Sequence, residues 1–498
     1  MFNKKGTALI LAYLAITVLM VLGAAFMIRS IAESRLAERQ KKSVQAFAIA
    51  EAGLEVALYR LRLDFENDPA GPSFLDGDIN GIVCGPDTLN FYQLLGVTVL
   101  GNDLYSGTYA VDLRNVAGAT DEVWVRSRGI VGDITKVLEA YVKIKDESPW
   151  NNVIFGGTGA SGALINGNVN IAGSVHLLGT GLADTDLAMD MGGGASVYNN
   201  YSAVPGALLP KIPACPSRMF NGEMVQSLGS EVRIRQGQAG LSGTSKIGSA
   251  NVAANATKET ADGVYVSDGY GGNQGANNVY SDNSAYNNYD LGDGVPFLSL
   301  SDSYDTYATY QDYLFDNALV INDPAQLTQL ANIQPGSSFN YSSPEGAISM
   351  DGAGNLAISG IVYVDGGNLN FQKQGAAKTI NYTGRGSLFT TGSVNITCSL
   401  YTQGNNSFPS NVMGVMTPNN ISFSEANIDV MGLFYAENTI TSTKQTDVVG
   451  AFIGNYFDMG SQVPSIFQVP SVIDNLPPGM INRDPVWVSN IVLWRKLN

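Results

Sequence analysis

Residues 6–28, GTALILAYLAITVLMVLGAAFMI, carry no charge and follow directly on Lys4 and Lys5. As an α-helix this run extends about 34 Å, enough to cross a hydrocarbon layer of about 30 Å. The two lysines favour the cytoplasmic side for the short N-terminal segment, which places the long remainder across the membrane. A secretory signal peptide has a shorter apolar run and a small-x-small cleavage site, whereas here the helical pattern continues. From Arg29 to Asp64 there is no proline, and Gly53 is the one glycine. Residues 29–43 are strongly charged, with Glu38 four before Lys42 on the helix surface. Beyond them Val44, Phe47, Ala48, Leu54, Leu58 and Leu61 recur at steps that share one face. The pattern predicts one continuous helix from about Thr7 to Asp64, about 85 Å long. Its first half is apolar all round, and its second half is expected to dock on a folded domain.

Lys4-Lys5-Gly6, an apolar helix and an amphipathic continuation together resemble the leader and stem of type IV pilin-like proteins. The stretch Ala46-Phe47-Ala48-Ile49-Ala50-Glu51-Ala52-Gly53-Leu54 is similar to the AEAG-hydrophobic signature of PilX-type minor pilins. The resemblance implies cleavage by a prepilin peptidase between Gly6 and Thr7, and packing of the stem through Phe47, Glu51, Leu54 and Leu58. Leu11 stands where major pilins carry a glutamate, which further resembles PilX-type pilins and the K-type pseudopilins of type II secretion. Thr7 takes the place where these families often have phenylalanine, and methylation of the new amine is left open. The implied location is the bacterial inner membrane, single pass with the C-terminal part periplasmic, and then a pilus or the cell surface. The implied partners are other pilins or pseudopilins, the peptidase and host or surface ligands.

Lys plus Arg number 28 and Asp plus Glu 44, a net charge of −16, and the part after the stem is more acidic still. Such a surface repels a phosphate backbone, so nucleic acid is not an expected partner. Only 14% of the chain is charged, while Gly alone numbers 56. With abundant Asn, Ser, Thr and Tyr, this suits β-structure with many turns. Cys84, Cys215 and Cys398 allow one disulfide in an oxidising compartment.

The expected fold is α+β to mainly β, in successive parts. Residues 1–6 are a prepilin-type leader and 7–64 the stem. Residues 65–150 hold a loop-rich connector and a small antiparallel sheet built from TYAVDLRNV, EVWVRSRGIV and KVLEAYVKI. In 151–480 a loose repeat begins at Gly360, Gly386, Gly414, Gly432 and Gly450, at steps of 26, 28, 18 and 18 residues. Short strands with Gly and Asn turns at that spacing predict a right-handed parallel β-helix, in which each coil stacks on the one before. A sandwich of hairpins is the alternative. Asn368, Asn395, Asn420 and Asn438 fall at similar offsets and are expected to ladder at the turns. A Gly/Asn/Tyr-rich segment at about 243–295 reads as an exposed insertion. Residues 481–498, with Trp487 and Trp494, read as a cap on an open end.

No catalytic fingerprint stands in its required context, and the one histidine, His176, lies in an alternating strand pattern with no evident partner. No catalytic residue is therefore assigned. Asp429 and Asp447 lie one repeat apart, the slight basis for the alternative of a membrane-anchored polysaccharide lyase or hydrolase. One metal motif is present: Asp76, Asp78, Asn80, the Ile82 carbonyl and Asp87 follow a D-x-D-x-N-G calcium loop with an acid at position twelve. Cys84 at position nine and Pro86 depart from that pattern. No cofactor is assigned outright: an Asp/Gly/Asn turn holding no ion is the first reading of this segment, and a calcium site is the alternative. The chain as a whole reads as a minor pilin-like subunit that primes or caps a fibre and carries a β-rich domain for adhesion, with a secretion pseudopilin as the nearest alternative.

Overall fold

The computed structural model describes residues 4–67, 74, 78–79, 82–83, 87–101, 106–117, 119–146, 148–158, 165–167, 169–183, 186–191, 193–220, 223–230, 232–241, 246–247, 258–259, 265–266, 270–271, 278–279, 296–442, 444–459, 464–482 and 487–497. These form two compact units. The first takes residues 1–146 together with 485–498, and the second takes 147–484.

The first unit opens with one unbroken helix, α1, Lys4–Asn67. Four antiparallel strands follow: β1 (Tyr92–Gly101), β2 (Ser106–Asn115), β3 (Glu122–Val131) and β4 (Ile134–Asp146). The sheet is completed by the C-terminal strand Trp487–Leu497, which pairs with β4 from Trp487 opposite Asp146 to Leu497 opposite Val137. Residues 487–497 are thus the fifth strand of the small sheet, which corrects their reading as a cap. The alternation VWV and VLW suited an edge strand as well as a cap, and only the distant partner β4 decides between them.

Ala46, Ile49, Ala50, Leu54, Ala57, Leu58, Leu61 and Phe65 form the buried stripe of α1 against β1–β4. Val44 lies outside this stripe and is 68% exposed. The contact is therefore turned slightly from the one the larger side chains suggested, because the smallest residues seat closest to the sheet. A Cβ on Gly129 would lie 2.1 Å from the Ala46 carbonyl oxygen and 2.5 Å from the Ala50 nitrogen. A Cβ on Gly53 would lie 2.5 Å from Ser127 Oγ and 2.9 Å from Tyr109 Cδ2. At Gly129 sheet backbone meets helix backbone, and at Gly53 helix backbone meets the Ser127 and Tyr109 side chains of the sheet, each at a separation that leaves no room for a Cβ. On the sheet's other face, the Arg495 guanidinium lies 2.6 Å from one Glu139 oxygen and that of Arg126 3.0 Å from the other.

The second unit is built mainly from parallel ladders, with antiparallel pairs such as Phe339–Ser342 on Gly346–Met350 and Gly346–Met350 on Asn355–Val364. One apolar row runs in register through Leu319, Val362, Leu388, Val415, Phe434, Phe452, Ile154, Val175 and Val232. A second begins Leu369, Val394, Ile421, Ile440, Phe457. A third runs Ile380, Leu400, Val430, Val448, Ile466, Ile171, Val197, Ile247. Each row repeats at the strand spacing of about 4.8 Å, so every strand covers the apolar side chains of the next.

The stacking order differs from the chain order. The strand Thr446–Asp458 pairs with Ile428–Thr441 on one side and with Ile154–Thr158 on the other. The chain enters the middle of the stack, builds toward one end, crosses to the far end and returns. Where it enters and leaves, Trp150 Nε1 donates to the Ile481 carbonyl at 2.7 Å. Residues 297–300 run over the outward row that holds Tyr435 and Phe155. Phe297 stacks on both rings, and the Tyr435 hydroxyl donates to the Leu298 carbonyl at 2.5 Å. The repeat glycines also shift: Gly386 opposes Met413 rather than Gly414, while Gly360 opposes Gly386 and Gly432 opposes Gly450.

Candidate functional site

The apolar half of α1 is the first candidate. Gly6 and Thr7 lie within its opening turns. From Leu9 to Leu36 its side chains are exposed, Leu11 and Leu14 among them. The helix is long and apolar enough to span a membrane, and the most apolar window has none of its surface covered by the chain itself. Of the packing residues expected on the stem, Leu54 and Leu58 are buried against the sheet, Phe47 is half-buried, and Glu51 is exposed. The Lys496 ammonium stands 5.4 Å from the Phe47 ring centroid. In the AEAG stretch Ala50 and Gly53 thus meet the sheet, and the glutamate is exposed.

The calcium motif falls largely outside the described residues, which include neither Asp76 nor Asn80. Within it the backbone pairs Asp78 with Val83 and Ile79 with Ile82, antiparallel. Asp87 Oδ1 accepts the N–H groups of Leu89 and Asn90, each at 2.8 Å, and these hydrogen bonds hold its carboxyl below the usual aspartate range. That carboxylate closes a local turn, so the acid expected at position twelve is already engaged. Cys84 is also outside the described residues, and Cys215 and Cys398 are separate buried thiols. Burial pushes the Cys398 thiol up to about 12.

Asp429 and Asp447 do stack as neighbouring rungs. The Tyr401 hydroxyl donates to Asp429. Asp447 is raised above the ordinary aspartate range by burial, with Asp429 adding to the effect and a hydrogen bond involving Ser465 opposing it. Glu437 is spent on Ser299 Oγ at 2.5 Å and the Leu300 N–H at 2.6 Å. His176 is buried edge-on to Phe155, with ring centroids 5.2 Å apart.

A second surface feature is a polar groove of about 560 Å³ on the ladder of Leu369 and Val394. Asn368, Asn370, Ser393, Asn395, Asn420, Ser422, Thr439 and Thr441 line it, with Val394. Asn368, Asn395 and Asn420 all line the groove but do not form one ladder: Asn395 is in register with Asn370 and Ser422, Asn368 and Asn420 flank the other side of the aliphatic row, and Asn438 is not among the lining. The remaining members had a readable signal: the triplets Asn-Leu-Asn, Ser-Val-Asn, Asn-Ile-Ser and Thr-Ile-Thr at 368, 393, 420 and 439. Each places one aliphatic residue inward between two polar residues outward.

A long apolar helix packed on an antiparallel sheet, with a large β-rich unit in the chain before the last strand, is a pilin-like fold. No family model and no curated protein matches the sequence. Among solved structures the chain is similar to the crystal structure of the competence-associated pilin ComZ from Thermus thermophilus. The two share 18% identity with a TM-score of 0.51, over 92% of this chain and 97% of that one. At this identity the likeness is one of fold.

Proposed function

We propose that the protein is a pilin-like subunit of a type IV pilus-like system, of the PilX-type minor class. It is cut after Gly6, held in the inner membrane by the first half of α1, and drawn into a fibre through that same half. The single observation that carries this reading is the division of α1. One end of the helix is fixed by a sheet that approaches it at Gly53 and Gly129, and the other end leaves a continuous apolar surface uncovered by its own chain. An uncovered apolar rod requires lipid or other rods of its kind. The second unit we read as a parallel β-helix carried for adhesion, on the strength of its three stacked apolar rows. A role in priming or capping is supported by Leu11, which brings no carboxylate to the position used by major pilins. A non-enzymatic role is supported by the engagement of Asp429 and Glu437 in internal hydrogen bonds.

Mass spectrometry of the N-terminus tests the processing step. Cells with a prepilin peptidase are expected to yield a chain beginning at Thr7, and cells lacking it a chain that retains Gly6. An uncut N-terminus in both would contradict the reading.

A further inference from the structure

Leu369, Val394, Ile421 and Ile440 are successive rungs of one ladder, and each is flanked by two outward polar residues. Asn370, Asn395, Ser422 and Thr441 therefore stand in a single register row, spanning roughly 14 Å at the strand spacing. No charged side chain lines this groove.

The orientation of the amides follows from the backbone. The Ser393 N–H donates to Asn368 Oδ1 at 2.9 Å, and the Thr439 N–H donates to Asn420 Oδ1 at 3.2 Å. A backbone N–H requires an acceptor, so both side-chain oxygens are fixed toward the protein and the NH₂ groups are turned away from those contacts. Asn395 Oδ1 accepts from Ser422 Oγ at 3.0 Å and from Ser424 Oγ at 2.6 Å. Among the described residues, the amide nitrogens of Asn368, Asn395 and Asn420 make no hydrogen bond within the chain. The groove thus offers neutral donors on both flanks of the ladder, Asn368 and Asn420 on one and Asn395 on the other, with the Thr439 and Thr441 hydroxyls beside them.

We propose that this groove binds an uncharged glycan, laid along the rungs with its hydroxyl and ring oxygens accepting from the asparagine amides. An array of amides and hydroxyls suits a ligand that is polar at every unit and carries no charge. The next rung after Thr441 is Asp458, so an anionic polymer extending along the row meets a carboxylate. Nucleic acid lacks the cations it needs here. A protein partner lacks an apolar or aromatic anchor, since Val394 is the one aliphatic residue in the lining. The inference names the ligand class for the surface-display role proposed above. Its test uses purified protein, so its failure leaves incorporation into a fibre standing, and a failure of incorporation leaves this groove standing.

The test measures retention of the full-length protein, in detergent, on immobilised cello- and chito-oligosaccharides, dextran and mannan, with alginate, polygalacturonate and duplex DNA in parallel. The discriminating variant combines Asn368→Asp and Asn420→Asp. It keeps an oxygen for each backbone N–H and removes both outward amides. Thr439→Val with Thr441→Val provides a second variant of matched shape, and Asn340→Asp on another strand is the control. The expected result is retention on at least one neutral glycan, at least tenfold weaker in the Asp pair, weakened in the Val pair and unchanged in Asn340→Asp. Failure to bind any of the neutral glycans at millimolar concentration would overturn the proposal. So would retention that is equal in the variants, or a preference for the anionic polymers.

Discussion

Gly129 shows most directly how single residues set the geometry of the first unit. Its missing side chain lets the backbone of β3 approach that of α1, with the Ala46 carbonyl and the Ala50 nitrogen in the space a Cβ would occupy. Gly129→Ala is expected to cost about 2 kcal/mol or more, because the contact is with backbone and cannot repack, and the loss is readable in the thermal midpoint. Glu139 adds a pH-dependent contribution. It is 2% exposed, and burial alone would raise its carboxyl, but hydrogen bonds from Arg495 and Arg126 overcome this and hold it below the ordinary glutamate range. A lowered folded-state value means that the unfolded chain binds the proton more readily. The stabilisation is therefore present above the unfolded glutamate value of about 4.3 and is lost as pH falls through the folded one. Glu139→Gln is expected to cost about 1–2 kcal/mol at pH 7, a modest figure because Arg495 is half exposed, and much less near pH 3. Asp447 has the opposite sign. Burial beside Asp429 raises it, so its charge opposes folding above the folded value and the penalty is absent below the unfolded one. Asp447→Asn is expected to raise the thermal midpoint at pH 7 and to leave it unchanged at low pH; a fall at pH 7 would contradict this account.

At the scale of elements, the helix and the last strand carry different lessons. The unbroken α1 was legible, because absence of proline and a charge-free run followed by an amphipathic one are local properties. The exact seam was less so. Leu54, Leu58 and Leu61 lie on the buried face as their spacing indicates, but Val44 does not, and Ala46, Ala50, Gly53 and Ala57 complete it, since smallness marks a close approach that hydrophobicity does not report. The strand Trp487–Leu497 could not be placed from sequence, since its partner β4 ends 341 residues earlier, at Asp146. Deleting residues 487–498 removes Arg495 from Glu139 and uncovers the ladder edge of β4. Limited proteolysis is expected to cut the first unit of this truncated chain within β3–β4 under conditions where the full chain resists.

At the scale of the whole molecule, the repeated Gly, aliphatic and Asn pattern indicated stacked short strands, and the parallel rows follow from it. The order of the strands did not, because short apolar strands of similar pattern offer a similar edge to any neighbour. Particular covers, such as Phe297 over Phe155 and Tyr435, mark which strands meet. The polar triplets that line the groove are equally local; Asn368, Asn395 and Asn420 each belong to one of them, whereas Asn438 precedes the fourth, Thr439-Ile440-Thr441, and stands outside the lining. The account as a whole depends on the uncovered half of α1 being buried among like helices. The most direct measurement is the composition of surface fibres sheared from cells and purified away from membranes. The protein is expected in that fraction as a chain beginning at Thr7, and absent from it when the prepilin peptidase is removed. Recovery only in the membrane fraction, with Met1 intact whether or not the peptidase is present, would contradict the account.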